Sequence, residues 1–182
     1  MNLNTWILLS LGLLSCLVVG CGVESTQGSE APELSEVEQL AAARKKGIVI
    51  YTELCSGCHG TDGTGGGSFP PLDGSEFVQG DPQRLALMVH KGVFGPIHVK
   101  GKRYHLEQMP GWEGSLSPGR TAALLSFLRT SWGNADVVSE KDALVTRDQA
   151  TEWIAQAEEI EGPLHGTVYE SDEWAELIEG EG

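Results

Sequence analysis

Cationic residues are scarce in this chain: 12 Lys and Arg among 182 residues, against 26 Asp and Glu, for a net charge of −14. A polyanion is held by dense positive charge, so this balance argues against nucleic acid and against adsorption to anionic lipid by charge. Cysteine is scarce as well. Of four cysteines, Cys16 and Cys21 fall in an N-terminal apolar segment, and Cys55 and Cys58 are the pair left in the remainder. No second pair is available there to complete a zinc site of four cysteines. The glycine-rich stretch 60–68 is followed by no Gly-Lys-Ser/Thr and preceded by no strand, which removes a phosphate loop. No strand pattern of any length and no internal repeat is visible.

What is present is Cys55-Ser56-Gly57-Cys58-His59. Two cysteines two residues apart with histidine directly after read as a c-type haem attachment site. Each thiol can form a thioether with one porphyrin vinyl group, and the spacer lets both sulfurs reach the same haem edge. The next residue, His59, then sits where it can ligate the iron. Two other readings compete: a thioredoxin-like dithiol, for which no βαβ context is visible, and half of a zinc site.

Residues Trp6 to Val19 are apolar apart from Ser10 and Ser15. That run is short for a membrane span and suits a signal-peptide core, although no Lys or Arg precedes it. Its end, Leu17-Val18-Val19-Gly20-Cys21, resembles a bacterial lipoprotein signal, with Cys21 as the lipidated residue. Leu13-Leu14-Ser15-Cys16 fits the same pattern, but cleavage there would leave Leu17-Val18-Val19 exposed. A plain secretory signal and an uncleaved anchor are the alternatives. All of them place the remainder outside the cytoplasm, where c-type haem is attached.

The charge is unevenly placed. Residues 34–132 hold nine acids and ten Lys/Arg, whereas 133–182 hold fourteen acids against Lys141 and Arg147. The expected organisation is a signal of lipoprotein type over 1–20, a flexible linker over 21–33, a domain over 34–132 and an acidic extension over 133–182. The extension is either an element that steers a basic partner or a solvated, partly disordered segment.

A first helix spans Leu34 to Leu54, with Ser35 and Glu38 as a capping box and Val37, Leu40, Ala41, Ile48, Tyr51 and Leu54 near a period of about 3.6 residues. It delivers the chain to Cys55. Asp81 and Pro82 open a second helix with Leu85, Met88 and Val89 as its apolar face, stopped by Gly92. Gly95 to Leu106 is a loop or short hairpin holding His98, Tyr104 and His105. Ser117 and Pro118 open a third helix with Ala122, Leu125 and Leu128 inward. A further helix runs from Thr146 or Asp148 to Ile160, then a break at Gly162-Pro163 precedes a short acidic end. Trp153, Ile154, Ala157, Trp174 and Leu177 are its apolar residues, available to dock it onto the domain or onto a partner.

The order helix, Cys-X-X-Cys-His, Pro-rich loop, helix, Met109-Pro110, C-terminal helix resembles the class I (mono-haem) cytochrome c domain over about residues 37–132. The resemblance implies an all-α fold of three to five helices around one covalently bound haem c, here with an acidic, partly helical extension. It implies Cys55 and Cys58 as attachment points, His59 as proximal and Met109 as distal iron ligand. A thioether is a soft ligand that favours Fe(II), and Pro110 stiffens the loop carrying Met109. Met88 sits on an apolar stripe, where methionine is usually a filler. His98 and His105 are rival distal ligands. In Pro70-Pro71-Leu72 the resemblance implies that the Pro70 carbonyl accepts the His59 Nδ1–H and that Leu72 packs on the porphyrin. Tyr104 and Trp112 are candidates for hydrogen bonds to the propionates. A narrower similarity, through Gly95-Pro96-Ile97, Gly101-Lys102-Arg103-Tyr104 and Ser131-Trp132-Gly133-Asn134, is to cytochrome domains that accompany periplasmic dehydrogenases of alcohols and sugars.

The expected activity is one-electron transfer rather than catalysis. The chain would act as a cytochrome subunit or partner of a dehydrogenase, respiratory complex or oxidase, tethered to the membrane by its N-terminal lipid. The alternative is a haem enzyme or haem-based sensor with an open or weakly held sixth iron position.

Overall fold

The computed structural model describes residues 34–179. The expected signal over 1–20, the expected linker over 21–33 and the candidate lipidation site Cys21 lie outside them. Helix α1 (Glu36–Leu54) starts as its sequence requires: the Ser35 side chain accepts from the Glu38 amide, and the Glu38 carboxylate accepts from the Ser35 amide at 3.0 Å. One-turn helix α2 (Ser56–His59) follows directly, and Gly60, at φ 76°, ends it. After the glycine-rich loop come α3 (Glu76–Gln79) and α4 (Pro82–Lys91), the latter capped by the Asp81 carboxylate on the Gln83 and Arg84 amides. Helix α5 (Pro118–Arg129) crosses α1, and a 3₁₀ turn (Trp132–Asp136) closes the loop beyond it.

The crossing of α1 and α5 depends on Gly47. A side chain there would strike the Ala123 carbonyl and the Phe127 Cβ, so only glycine lets the two helices come this close. Beside the crossing, Tyr51, Phe127 and Trp132 form a cluster with ring centroids 5.3–5.8 Å apart. The first core lies here, with Ile50, Leu124, Leu125 and Leu128 buried. The inward face of α1 differs from the periodicity reading: Leu40, Ile50 and Tyr51 are buried, while Val37 and Ile48 are exposed. Ile50 and Tyr51 face α5, and Leu40 packs instead with Val138 and Ala143.

The chain is not all-α. It is mostly helical, but strands β1 (Gly92–Val99) and β2 (Lys102–Pro110) form an antiparallel hairpin where a loop or short hairpin was expected. Lys100 and Gly101 turn it, both at positive φ (53° and 72°), the signature of a two-residue type I′ turn. Opposite Phe94/Gly95 the register shifts by one residue, a β-bulge. A two-residue strand β3 (Leu164–His165) adds parallel to β1, giving the order β2-β1-β3.

Residues 133–179 are folded onto this frame. Helix α6 (Glu140–Ala143) precedes α7 (Arg147–Glu158), which has its own capping box from Thr146 and Gln149 and packs against α4 and α5. Short helices α8 (Gly166–Glu170) and α9 (Glu173–Glu179) follow β3. Ala157, Ile160, Tyr169 and Trp174 from this segment share a second core with Phe77, Leu87, Val93 and Ile97. Leu177, expected to dock, is exposed. Among the described residues no helix is long and apolar enough to cross a membrane.

Candidate functional site

The five-residue motif sits at the end of α1. The Cys55 amide donates to the Tyr51 carbonyl, continuing α1, and the Cys58 and His59 amides both turn back onto the Cys55 carbonyl at 3.2 and 3.0 Å. This places Cys55 half-buried and Cys58 exposed, both as free thiols. The segment is pinned on each side. Tyr51 Oη donates to the Gly60 carbonyl, and the Gly65 amide donates to the His59 carbonyl at 2.8 Å.

His59 is buried, and its Nδ1 lies 2.9 Å from the Pro70 carbonyl. A carbonyl only accepts, so Nδ1 carries the proton and Nε2 keeps its lone pair. Burial lowers the His59 pKa, partly offset by the Pro70 hydrogen bond, so the ring stays neutral. A neutral imidazole with an orienting bond on Nδ1 is the form that binds a metal through Nε2.

The Pro70 loop is itself anchored. The Gly63 carbonyl accepts from the Leu72 and Asp73 amides at 2.8 and 3.0 Å. Asn134, fully buried, accepts from the Gly74 amide (2.9 Å) and donates to the Leu72 (3.0 Å) and Leu128 (3.1 Å) carbonyls. The Asp73 carboxylate accepts from the Gly133 amide at 2.8 Å. The loop bearing Pro70 and Leu72 is thus fastened to the end of α5. Asn134 stood in the sequence only as the last residue of Ser131-Trp132-Gly133-Asn134; its type, a side chain that both donates and accepts, was the available signal.

Two adjoining hollows open beside the motif, of about 620 and 780 Å3. Cys55, His59, Pro70 and Met109 line both. Leu72 and Met88 belong to the first, and Cys58 and Trp112 to the second. Apart from Cys55, His59 and Ser75, the wall of the first is built of apolar side chains and prolines, including Val93, Ile97 and Val99 of the hairpin. Met109 is carried by β2 rather than by a loop. It pairs with Val93 in the ladder, Pro110 pairs with Gly92, and the Trp112 amide donates to the Val89 carbonyl at 3.0 Å.

Other candidates lie elsewhere. Tyr104 is in the second core, with Lys102 Nζ 4.7 Å from its ring centroid, and lines neither hollow. His98 is exposed, with Nδ1 3.1 Å from the Glu170 carboxylate, and His105 is exposed and accepts from Arg103 at 2.8 Å. Neither lines a hollow. Met88 is buried and faces the first hollow only.

The donor set fits a haem attached through two thioethers: two thiols, a neutral imidazole and a thioether sulfur face the same apolar space. It fits the rival readings poorly. Burial, and to a lesser degree Cys58, push the Cys55 thiol up to about 11, whereas a reactive dithiol needs a lowered value. Among the described residues no three His, Cys, Asp or Glu side chains gather as a metal site.

Residues 44–132 match the cytochrome c family. The chain is 32% identical over 134 residues to the cytochrome c subunit of the quinone alcohol dehydrogenase of Gluconacetobacter polyoxogenes, covering 69% of this chain and 28% of that protein. It is 37% identical over 90 residues to the corresponding subunit of Gluconobacter oxydans (strain 621H), covering 48% of this chain and 18% of that protein. It is also 28% identical over 101 residues to the cbb3-type cytochrome c oxidase subunit FixP of Bradyrhizobium sp. (strain ORS 278), covering 53% and 33%. This chain spans only about a quarter of the length of the first of these relatives. Residues 44–132 therefore belong to the cytochrome c family, as a class I domain whose cofactor is one covalently bound haem c. Within that family the domain is of the subtype found in dehydrogenase cytochrome subunits.

Proposed function

We propose that the chain is a one-electron carrier, in which Cys55 and Cys58 would hold the haem as thioethers and His59 and Met109 would bind its iron. The observation that carries this reading is the pairing of His59, with Nδ1 tied to the Pro70 carbonyl, and Met109 in the same two apolar hollows. When bound, the haem supplies the Fe(III)/Fe(II) couple, and nothing else is asked of it. The chain's own residues hold His59 neutral and oriented, present the Met109 sulfur, and keep water out with Leu72, Val93 and Ile97. A soft thioether and an apolar wall both favour the ferrous state.

The redox partner is proposed to be a dehydrogenase or oxidase complex, since the relatives are named as subunits of such assemblies. We further propose extracytoplasmic placement through a lipid on Cys21, which raises the local concentration at a membrane-bound partner. Replacing Cys21 with alanine should release the protein from membranes, read by fractionation; continued retention points to Cys16 or an uncleaved anchor.

The test of ligation is the optical spectrum of the holoprotein and of Met109→Ala. A far-red band in the oxidised wild type that is absent from the variant, together with a lower potential, supports His/Met ligation. A high-spin wild-type spectrum that responds to CO or peroxide would put a haem enzyme or sensor first.

A further inference from the structure

We propose that residues 160–179 act as a clasp that holds Met109 in place for the iron, with Tyr169 as its positioning residue. The inference rests on the ligation proposed above and concerns a segment beyond the cytochrome c match, which ends at residue 132.

The register of the sheet carries it. Val93 pairs with Met109 on one side and with Leu164 on the other, so the two-residue strand of the C-terminal segment, β1 and Met109 lie three abreast. The next rung repeats this, with Phe94 between Gln108 and His165 and the Phe94 and His165 rings 5.1 Å apart. An isolated two-stranded hairpin is marginal in water, and a third strand supplies the missing edge. Tyr169, fully buried, donates from its hydroxyl to the Gly92 carbonyl at 3.0 Å, and Gly92 pairs with Pro110, the residue after Met109. A side chain at Gly92 would meet the Met109 carbonyl, so that hydroxyl bears on backbone packed directly against the ligand's own. Farther along β1, Glu170 accepts from the His98 amide at 2.6 Å and from its ring. Trp174 closes the rear, stacked with Arg84, whose Nη1 donates to the Tyr169 carbonyl at 3.3 Å.

A strand gripped in this way loses little on binding iron, because its ordering is already complete; a loosened strand must be ordered by the bond itself. The sulfur then competes less well with another ligand. Titrating the ferric holoprotein with imidazole measures that competition directly. Tyr169→Phe keeps the ring and removes one buried hydrogen bond, so imidazole should bind about fivefold more tightly than to wild type. Glu170→Gln should act in the same direction and less, and Met109→Ala sets the ceiling. A purely structural role for the segment would lower the melting temperature and leave imidazole affinity unchanged. Unchanged affinity in both Tyr169→Phe and Glu170→Gln, with the expected rise in Met109→Ala, overturns the clasp and leaves the ligation standing. No rise in Met109→Ala overturns the ligation, and the clasp with it.

Discussion

The two walls of the cleft are built in different ways. The His59 wall is local. Its candidate ligand His59 and both thiols lie within five consecutive residues, and the ties that touch this motif directly reach 9 residues (Tyr51 to Gly60) or 11 (His59 to Pro70); only the loop behind Pro70 is held from farther off, by Asn134, 60 residues beyond Gly74. The Met109 wall is assembled from afar: Met109 depends on its pairing to Val93, and Val93 on Leu164, while Tyr169 reaches back 77 residues to Gly92. Damage to residues 160–179 should therefore reach Met109 before it reaches His59.

The largest test of this contrast removes the support of the first wall. Asn134→Ala strips the loop of Pro70 and Leu72 of buried hydrogen bonds and leaves several backbone groups unpaired, at a cost of about 3 kcal/mol. Denaturant unfolding of the holoprotein would measure it; a loss below about 1 kcal/mol means that the glycine-rich loop supports itself. Next, Gly47→Ala forces α1 off α5 and should cost about 2 kcal/mol by the same measurement, because the clash is with backbone and cannot be relieved by a rotamer.

Gly101→Ala should cost about 1 kcal/mol, from positive φ alone, since nothing crowds that position. Its signature is the useful part: the Met109-dependent spectral band weakens while haem remains attached. Equal weakening of both walls would break the comparison.

The smallest effect is a slope. His90 is buried against Thr121 Oγ1 at 2.9 Å, and burial holds its pKa below the ordinary value. The unfolded chain then binds more protons than the folded one below about pH 6.5, so this contribution is complete above that pH and is lost as pH falls. His90→Gln should flatten the dependence of unfolding free energy on pH between about 7 and 5; an unchanged slope assigns it to other groups.

The same contrast governs how much the sequence disclosed. Helices α1, α4 and α5 were legible because their starts are chemical signals: the Ser35–Glu38 box, Asp81-Pro82 and Ser117-Pro118. The motif was legible for the same reason, whereas the Pro70 contact followed from the resemblance to the family. The hairpin was legible only as one of two readings, a loop or short hairpin over Gly95 to Leu106, and its full length was not. Gly92, Gly95 and Pro96 interrupt the alternation of β1, and the bulge at Phe94/Gly95 shifts the period, so the strand reads as a loop. Strand β3 has only two residues and exists through its partner alone. Tyr169 stands in an acidic stretch with no periodic apolar neighbours to mark its burial, although an aromatic in such a segment usually has a burial to account for it. Tyr104 was proposed for the cleft on residue type, and its strand turns it into the second core.

Consider finally the unequal exposure of Cys55 and Cys58. Cys58 meets solvent while Cys55 is half-buried, and burial pushes its thiol up to about 11. Thiolate is the species that oxidants and alkylating agents attack, so Cys55 is slow to react at neutral pH. The two sulfurs are therefore unequal toward a reagent, with Cys58 the more accessible. Timed alkylation of the haem-free chain, read by peptide mass, should label Cys58 first.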